Sequence, residues 1–144
     1  MKTENELNAA LSKYFRSKMP KLHPVKVADK VTLGVSDFLL FCAFTSVGLE
    51  VKFVKELPMR DTSKVLTHEF SGAQLTFLES IELTGNRGYG LIGVREWDQM
   101  ILIPQENMQA NFTLKELKNA STIGKVFKLG QYKELTEYLF PSLT

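Results

Sequence analysis

The chain has 144 residues, 44% of them hydrophobic and 24% charged, with a formal net charge of +2. A chain of this size and composition can bury about two-thirds of its unfolded surface as one domain over 1–144. No run is long and apolar enough for a membrane span or a signal core, so a cytoplasmic protein is the expectation, in a host cytoplasm if phage-encoded. The lone Cys42 excludes an intrachain disulfide and a four-cysteine cluster, and with only His23 and His68 a His-built zinc site has little support.

Thr3 is placed to cap a helix over about 4–18, with Glu4 and Glu6 favoured in its first turn by the dipole and Leu7, Leu11, Tyr14 and Phe15 in one stripe. Residues 19–30, with two prolines and three lysines, read as an irregular basic connection. The sheet should begin near 30–33, with Gly34 a bulge or close approach. Two apolar runs, 35–44 and 47–54, then meet at Thr45-Ser46 as a predicted hairpin in which Phe41 faces Glu50, Leu39 faces Lys52 and Asp37 faces Val54. Alternation puts Asp37, Glu50 and Lys52 on one face and Phe38, Leu40, Cys42, Leu49, Val51 and Phe53 on the other. Asp37 and Lys52 become diagonal neighbours, about 7–8 Å apart at Cα.

Two carboxylates and an ammonium among apolar strands are costly to bury without compensation, which a hard divalent cation would provide. A nearby lysine can orient an attacking water and offset phosphate charge. An ordinary solvated Glu–Lys pair is the plain alternative.

Downstream, residues 53–69 are polar and interrupted by Pro58. They read as a mobile loop that carries Lys55, Arg60 and Lys64, with His68 near its end. Ser71-Gly72-Ala73-Gln74 is a capping box opening a helix to about Thr84, with Leu75, Phe77, Leu78 and Ile81 inward and Gly85 at its end. The glycines at 85, 88 and 90 follow a helix and precede a strand, the reverse of a phosphate-binding loop, so that reading is discarded. Residues 89–94 form an apolar strand, and 100–103 return as another ended by Pro104. Strand, helix and strand from 50 to 94 make a crossover unit, hence a mixed sheet with helices on its faces. The core spans about 4–105. In the helical tail 106–144, Thr113-Leu114-Lys115-Glu116 is a second capping box and 131–139 a final helix.

The order Ser36-Asp37, Glu50-Val51-Lys52, Gln74-Leu75-Thr76-Phe77-Leu78 and Gly88-Tyr89-Gly90-Leu91-Ile92-Gly93-Val94 resembles the PD-(D/E)XK nuclease superfamily over about residues 4–105. It is similar above all to small Holliday-junction resolvases of the Hjc and RecU kind and to VRR-NUC modules, with Ser36 where the family name has Pro. The resemblance implies a restriction-endonuclease-like α/β fold and a Mg²⁺- or Mn²⁺-dependent DNA endonuclease, in which Asp37, Glu50 and the Val51 carbonyl hold metal and Lys52 serves the water. Glu4-Asn5-Glu6-Leu7-Asn8-Ala9-Ala10-Leu11 looks like the family's first-helix setting, which points to Glu4, with Glu6 the rival. Gln74 matches a position that helps organise the site, though its capping role explains it equally. The implied partners are branched DNA and a second copy of the chain. A flap or restriction-type nuclease and a non-catalytic binding module of the same fold are the alternatives.

Charge distribution agrees with a nucleic-acid partner: residues 1–64 hold 11 Lys/Arg against 7 Asp/Glu, and residues 65–144 hold 7 against 9. Besides Lys55, Arg60 and Lys64, the candidates for the DNA backbone are Arg16, Lys18, Lys21 and Lys26.

Overall fold

A computed structural model describes residues 3–26 and 37–143. The expectations for 30–34 and for Ser36 fall outside these residues. Thr3 Oγ1 accepts the Glu6 N–H at 3.1 Å, and the helix it caps, α1, runs Glu4–Arg16, two residues shorter than expected. Its Leu7, Leu11 and Phe15 are wholly buried.

Six strands form one sheet in sequence order: β1 (Leu22–Lys26), β2 (Phe38–Cys42), β3 (Thr45–Val54), β4 (Arg87–Val94), β5 (Gln99–Pro104) and β6 (Lys125–Lys128). Only β3 and β4 run parallel, joined by helix α2 (Gly72–Leu83), as the crossover reading requires. Leu7, Phe38, Leu40, Leu49 and Val51 share one core with Leu135 and Leu139 of α4 (Tyr132–Leu139). On the opposite face Val54, Ile92, Val94, Ile101 and Ile103 pack with Val65, Leu66, Phe70, Phe112 and Leu114, the last from α3 (Leu114–Lys118). Each fully buried Leu, Ile or Phe contributes about 1.5–3 kcal/mol, so the sheet is fixed from both sides.

Four expectations are corrected. The hairpin turns at Ala43-Phe44, two residues earlier than expected, with Ala43 at φ 46°. Primed hairpin turns need a positive φ, and no glycine or asparagine marked the place. Phe38 therefore faces Leu49 and Phe41 faces Ser46. Residues 22–26 are an edge strand rather than an irregular connection. Pro24 lacks an N–H, which an edge strand tolerates. The C-terminal segment is not solely helical, since β6 pairs with β5.

The fourth correction concerns the polar segment before α2, which is not a free mobile loop. Val65, Leu66 and Phe70 are buried, with Val65 N–H donating to Phe112 O and Phe70 N–H to Ala110 O, both at 2.9 Å. Asn111 closes the attachment: its Oδ1 accepts the Leu66 N–H and its Nδ2 donates to the Leu66 carbonyl, each at 2.9 Å. Three large apolar residues in a polar stretch outweigh its loop composition.

Candidate active site

β2 stops at Phe38 while β3 continues to Val54, so beyond Leu49 no described residue of β2 pairs with β3. Asp37, just before β2, reaches β3. Its Oδ2 accepts the Val51 N–H at 2.7 Å, and its own N–H donates to Glu50 Oε2 at 3.1 Å. A strand residue sends N–H and C=O to the same side, so the Val51 carbonyl leaves β3 on the side of Asp37.

Glu50 is only 3% exposed. Burial, then the charge of Asp37 and a hydrogen bond with it, push the Glu50 carboxyl up to about 9 against the pull of Lys52. Gln74 serves two masters. Its Oε1 accepts the Ser71 N–H at 2.8 Å, completing the capping box, while its Nε2 donates to Glu50 Oε1 at 2.5 Å. The capping role is thus observed, and the same side chain also reaches Glu50.

Lys52 is half-buried on the same face as Glu50, its Nζ 5.5 Å from the centre of the Phe70 ring. Glu4, in the first turn of α1, comes near enough to interact with Lys52 and Asp37. Its carboxyl is raised chiefly by burial, with Lys52 and His68 lowering it and Asp37 raising it. Glu6 is exposed in the same first turn.

Glycines permit these approaches. A Cβ on Gly88 would lie 2.9 Å from the Leu78 carbonyl oxygen, so α2 comes close enough for Gln74 to touch Glu50 only over a bare backbone. A Cβ on Gly93 would lie 2.9 Å from Leu7 Cδ2 and 2.7 Å from Phe53 Cδ2, which sets how closely α1 approaches. Of the glycines at 85, 88 and 90 that mimic a phosphate loop, Gly88 is thus a helix seat, a role the sequence analysis missed.

A cleft of about 730 Å³ opens beside the cluster, lined in part by Glu4, Lys52, Lys55, Glu56, Thr67 and His68. Among the other basic candidates, Arg16, Lys18 and Lys21 are exposed at the far end of α1, about 20 Å from Glu4 at 1.5 Å per residue. Lys18 Nζ is 5.2 Å from the Tyr14 ring centre. Lys26 pairs with Phe38, next to Asp37 in the chain. Arg60 and Lys64 are exposed on the segment before α2, Lys64 in a bridge to Thr113.

The donor set suits a hard cation. Among the described residues no group of three or more His, Cys, Asp and Glu is placed to hold a metal. What the cluster offers is two carboxylates and a carbonyl, all oxygen, the set preferred by an ion that keeps several waters. A carboxylate this deeply buried beside another cannot readily ionise without such a partner.

No protein-family model matches the chain, and no curated protein matches it. Its fold does match a solved structure, that of Archaeoglobus fulgidus Hjc, a Holliday junction resolvase from an archaeal hyperthermophile. The TM-score is 0.55 and the identity 14%, over 88% of this chain and 97% of that one. The chain therefore has a resolvase-like α/β fold, with a mixed six-stranded sheet between helices. Among the described residues no helix is long and apolar enough to cross a membrane.

Proposed function

We propose that this protein is a divalent-metal-dependent DNA endonuclease of the PD-(D/E)XK type, acting on four-way junctions. The observation that carries the reading is the meeting of Asp37 and Glu50 beside β3, with Lys52, Glu4 and Gln74 around them. Likeness of fold to an archaeal junction resolvase supports the substrate class.

Asp37, Glu50 and the Val51 carbonyl would hold Mg²⁺ or Mn²⁺, which when bound polarises the scissile phosphate and lowers the pKa of its water. The chain's own groups prepare the rest. Val51 N–H fixes one oxygen of Asp37, and Gln74 and the Asp37 N–H fix the two oxygens of Glu50, so neither carboxylate must reorganise. Lys52 on the same face orients the attacking water and offsets charge developing on the phosphate. Glu4 accepts hydrogen bonds from water at the mouth of the site.

A dimer is part of this proposal, since paired nicks in a junction need two sites related by a two-fold axis. A largely apolar surface supports it, with His23 across from Phe41. Val25 and Phe41 are 39% and 45% exposed on the sheet face that carries Glu50, and Leu39 lies between them, half-buried. Because Gln74 of α2 reaches β3 and Glu82 reaches Gly88 on β4, the half-buried Phe77 and Ile81 border this surface from the other side.

The test is cleavage in Mg²⁺ of a four-way junction, a flap, a linear duplex and a single strand, by wild type and Glu50→Ala. The expected result is symmetric nicking of the junction by wild type, with the variant inactive but still binding. Equal cleavage by the variant would remove the metal site, and uniform degradation of linear duplex would replace the junction by a general nuclease substrate.

A further inference from the structure

The outer wall of the cleft is polar in sequence yet rigidly held. Val65 and Leu66 are 6% and 7% exposed, Phe70 is 1% exposed, and the backbone between them hangs on Phe112, Ala110 and Asn111. His68 stands exposed on this fixed wall, and Lys55 stands exposed at the end of β3, both lining the cleft that Lys52 and Glu4 also line. The imidazole is near enough to act electrostatically on the Glu4 carboxyl.

At about 730 Å³ the space exceeds what one phosphate needs. Its basic groups come from separate places in the chain: Lys52 acts on Glu50, whereas Lys55 comes from the end of β3 and His68 from the wall. Glu4 and Glu56 line the same cleft, and these basic groups offset them. An ammonium and an imidazole N–H are donors suited to phosphate oxygens, and a wall already ordered adds no loop-ordering cost on binding.

We propose that Lys55 and His68 form a second phosphate subsite, which holds a DNA phosphate flanking the one cleaved. This inference rests on the nuclease reading; it gives Lys55, already a candidate for the DNA backbone, a particular phosphate and adds His68. They grip the strand beside the reaction and set its position relative to Lys52.

The test combines variants with modified DNA. Cleavage kinetics in Mg²⁺ are measured for wild type, Lys55→Ala, His68→Ala and His68→Gln on a four-way junction, unmodified or carrying one methylphosphonate at either phosphate flanking the scissile one. His68→Ala and Lys55→Ala should each raise KM about tenfold, the size of one charge-assisted contact, with kcat nearly unchanged. A methylphosphonate at one flanking position should raise the wild-type KM by up to the two losses combined and add less in each alanine variant, which has already lost one of the two contacts. Losses that multiply in variant and wild type alike at both positions would overturn the subsite, as would a fall in kcat at constant KM. His68→Gln, which keeps a donor, should recover part of the loss. Both side chains are exposed, so thermal midpoints should stay near wild type. Wild-type protein that cleaves no DNA in Mg²⁺ would instead remove the nuclease reading and the subsite with it.

Discussion

Glu50 sets the pH behaviour of the metal-free protein. A carboxyl held at about 9 in the fold and near 4.5 unfolded binds more protons folded than unfolded between those values. Stability therefore falls as pH rises through that window, by up to about 1.4 kcal/mol per pH unit. Glu4, also raised, adds in the same direction. In EDTA the thermal midpoint should drop steadily from pH 5 to pH 9. Glu50→Gln should flatten most of that slope, and added Mg²⁺ should flatten it in wild type by binding the ionised pair. A midpoint that climbs with pH in EDTA would contradict the buried acid pair.

The two bonds of Gln74 can be separated by substitution at that same residue. Gln74→Glu keeps an oxygen for the Ser71 N–H but replaces the donor to Glu50 with a second carboxylate. Gln74→Ala loses both bonds and about 1 kcal/mol of capping. Cleavage should fall in both variants, whereas helix stability in Mg²⁺, followed by thermal melting, should fall mainly in the alanine. Activity lost only in the alanine variant would make Gln74 a cap and nothing more.

At the scale of elements, the close seating of α2 on Gly88 brings Gln74 to Glu50. Gly88→Ala forces a Cβ to 2.9 Å from the Leu78 carbonyl oxygen, backbone that cannot swing aside. Overpacking of this kind costs about 1–3 kcal/mol. Cleavage should fall further than that stability loss explains, because the helix must lift and carry Gln74 with it. Comparison of kcat with the thermal midpoint at a temperature where the variant is folded checks this.

The same elements show what the sequence could reveal. The predicted register was displaced by four residues along β3, yet Glu50 and Lys52 still share a face, and Asp37 meets Glu50 through its backbone N–H. An even displacement preserves the side on which a strand side chain points, whereas a shift of one would have reversed it. The face was legible from alternation alone, and the turn was not, since Ala43 carries no turn signal. β1 was hidden by Pro24, which is informative only once the strand is known to be an edge. The attachment of residues 64–70 to 110–115 was invisible because it links segments distant in sequence through backbone bonds and one asparagine.

For the whole molecule, the largely apolar surface around Phe41 bears on assembly. Val25, Leu39, Phe41, Phe77 and Ile81 lie on a protein of which 24% is charged, and the surface they form adjoins the place where Asp37 and Glu50 meet. An isologous contact sets such a patch against its own copy without opposing like charges, and would hold two sites at fixed separation. A stable interface of this type covers about 800 Å² per partner, so these residues would form its centre and not its whole. Introducing a carboxylate in the middle, as Phe41→Glu or Ile81→Glu, places two acids face to face across the axis. Light scattering should then show a monomer where wild type is a dimer. Each active site stays intact in the variants, so single nicks should persist while simultaneous paired nicking of a junction is lost. A wild-type monomer that still makes paired nicks would show that the two cuts do not require a two-fold pair of chains.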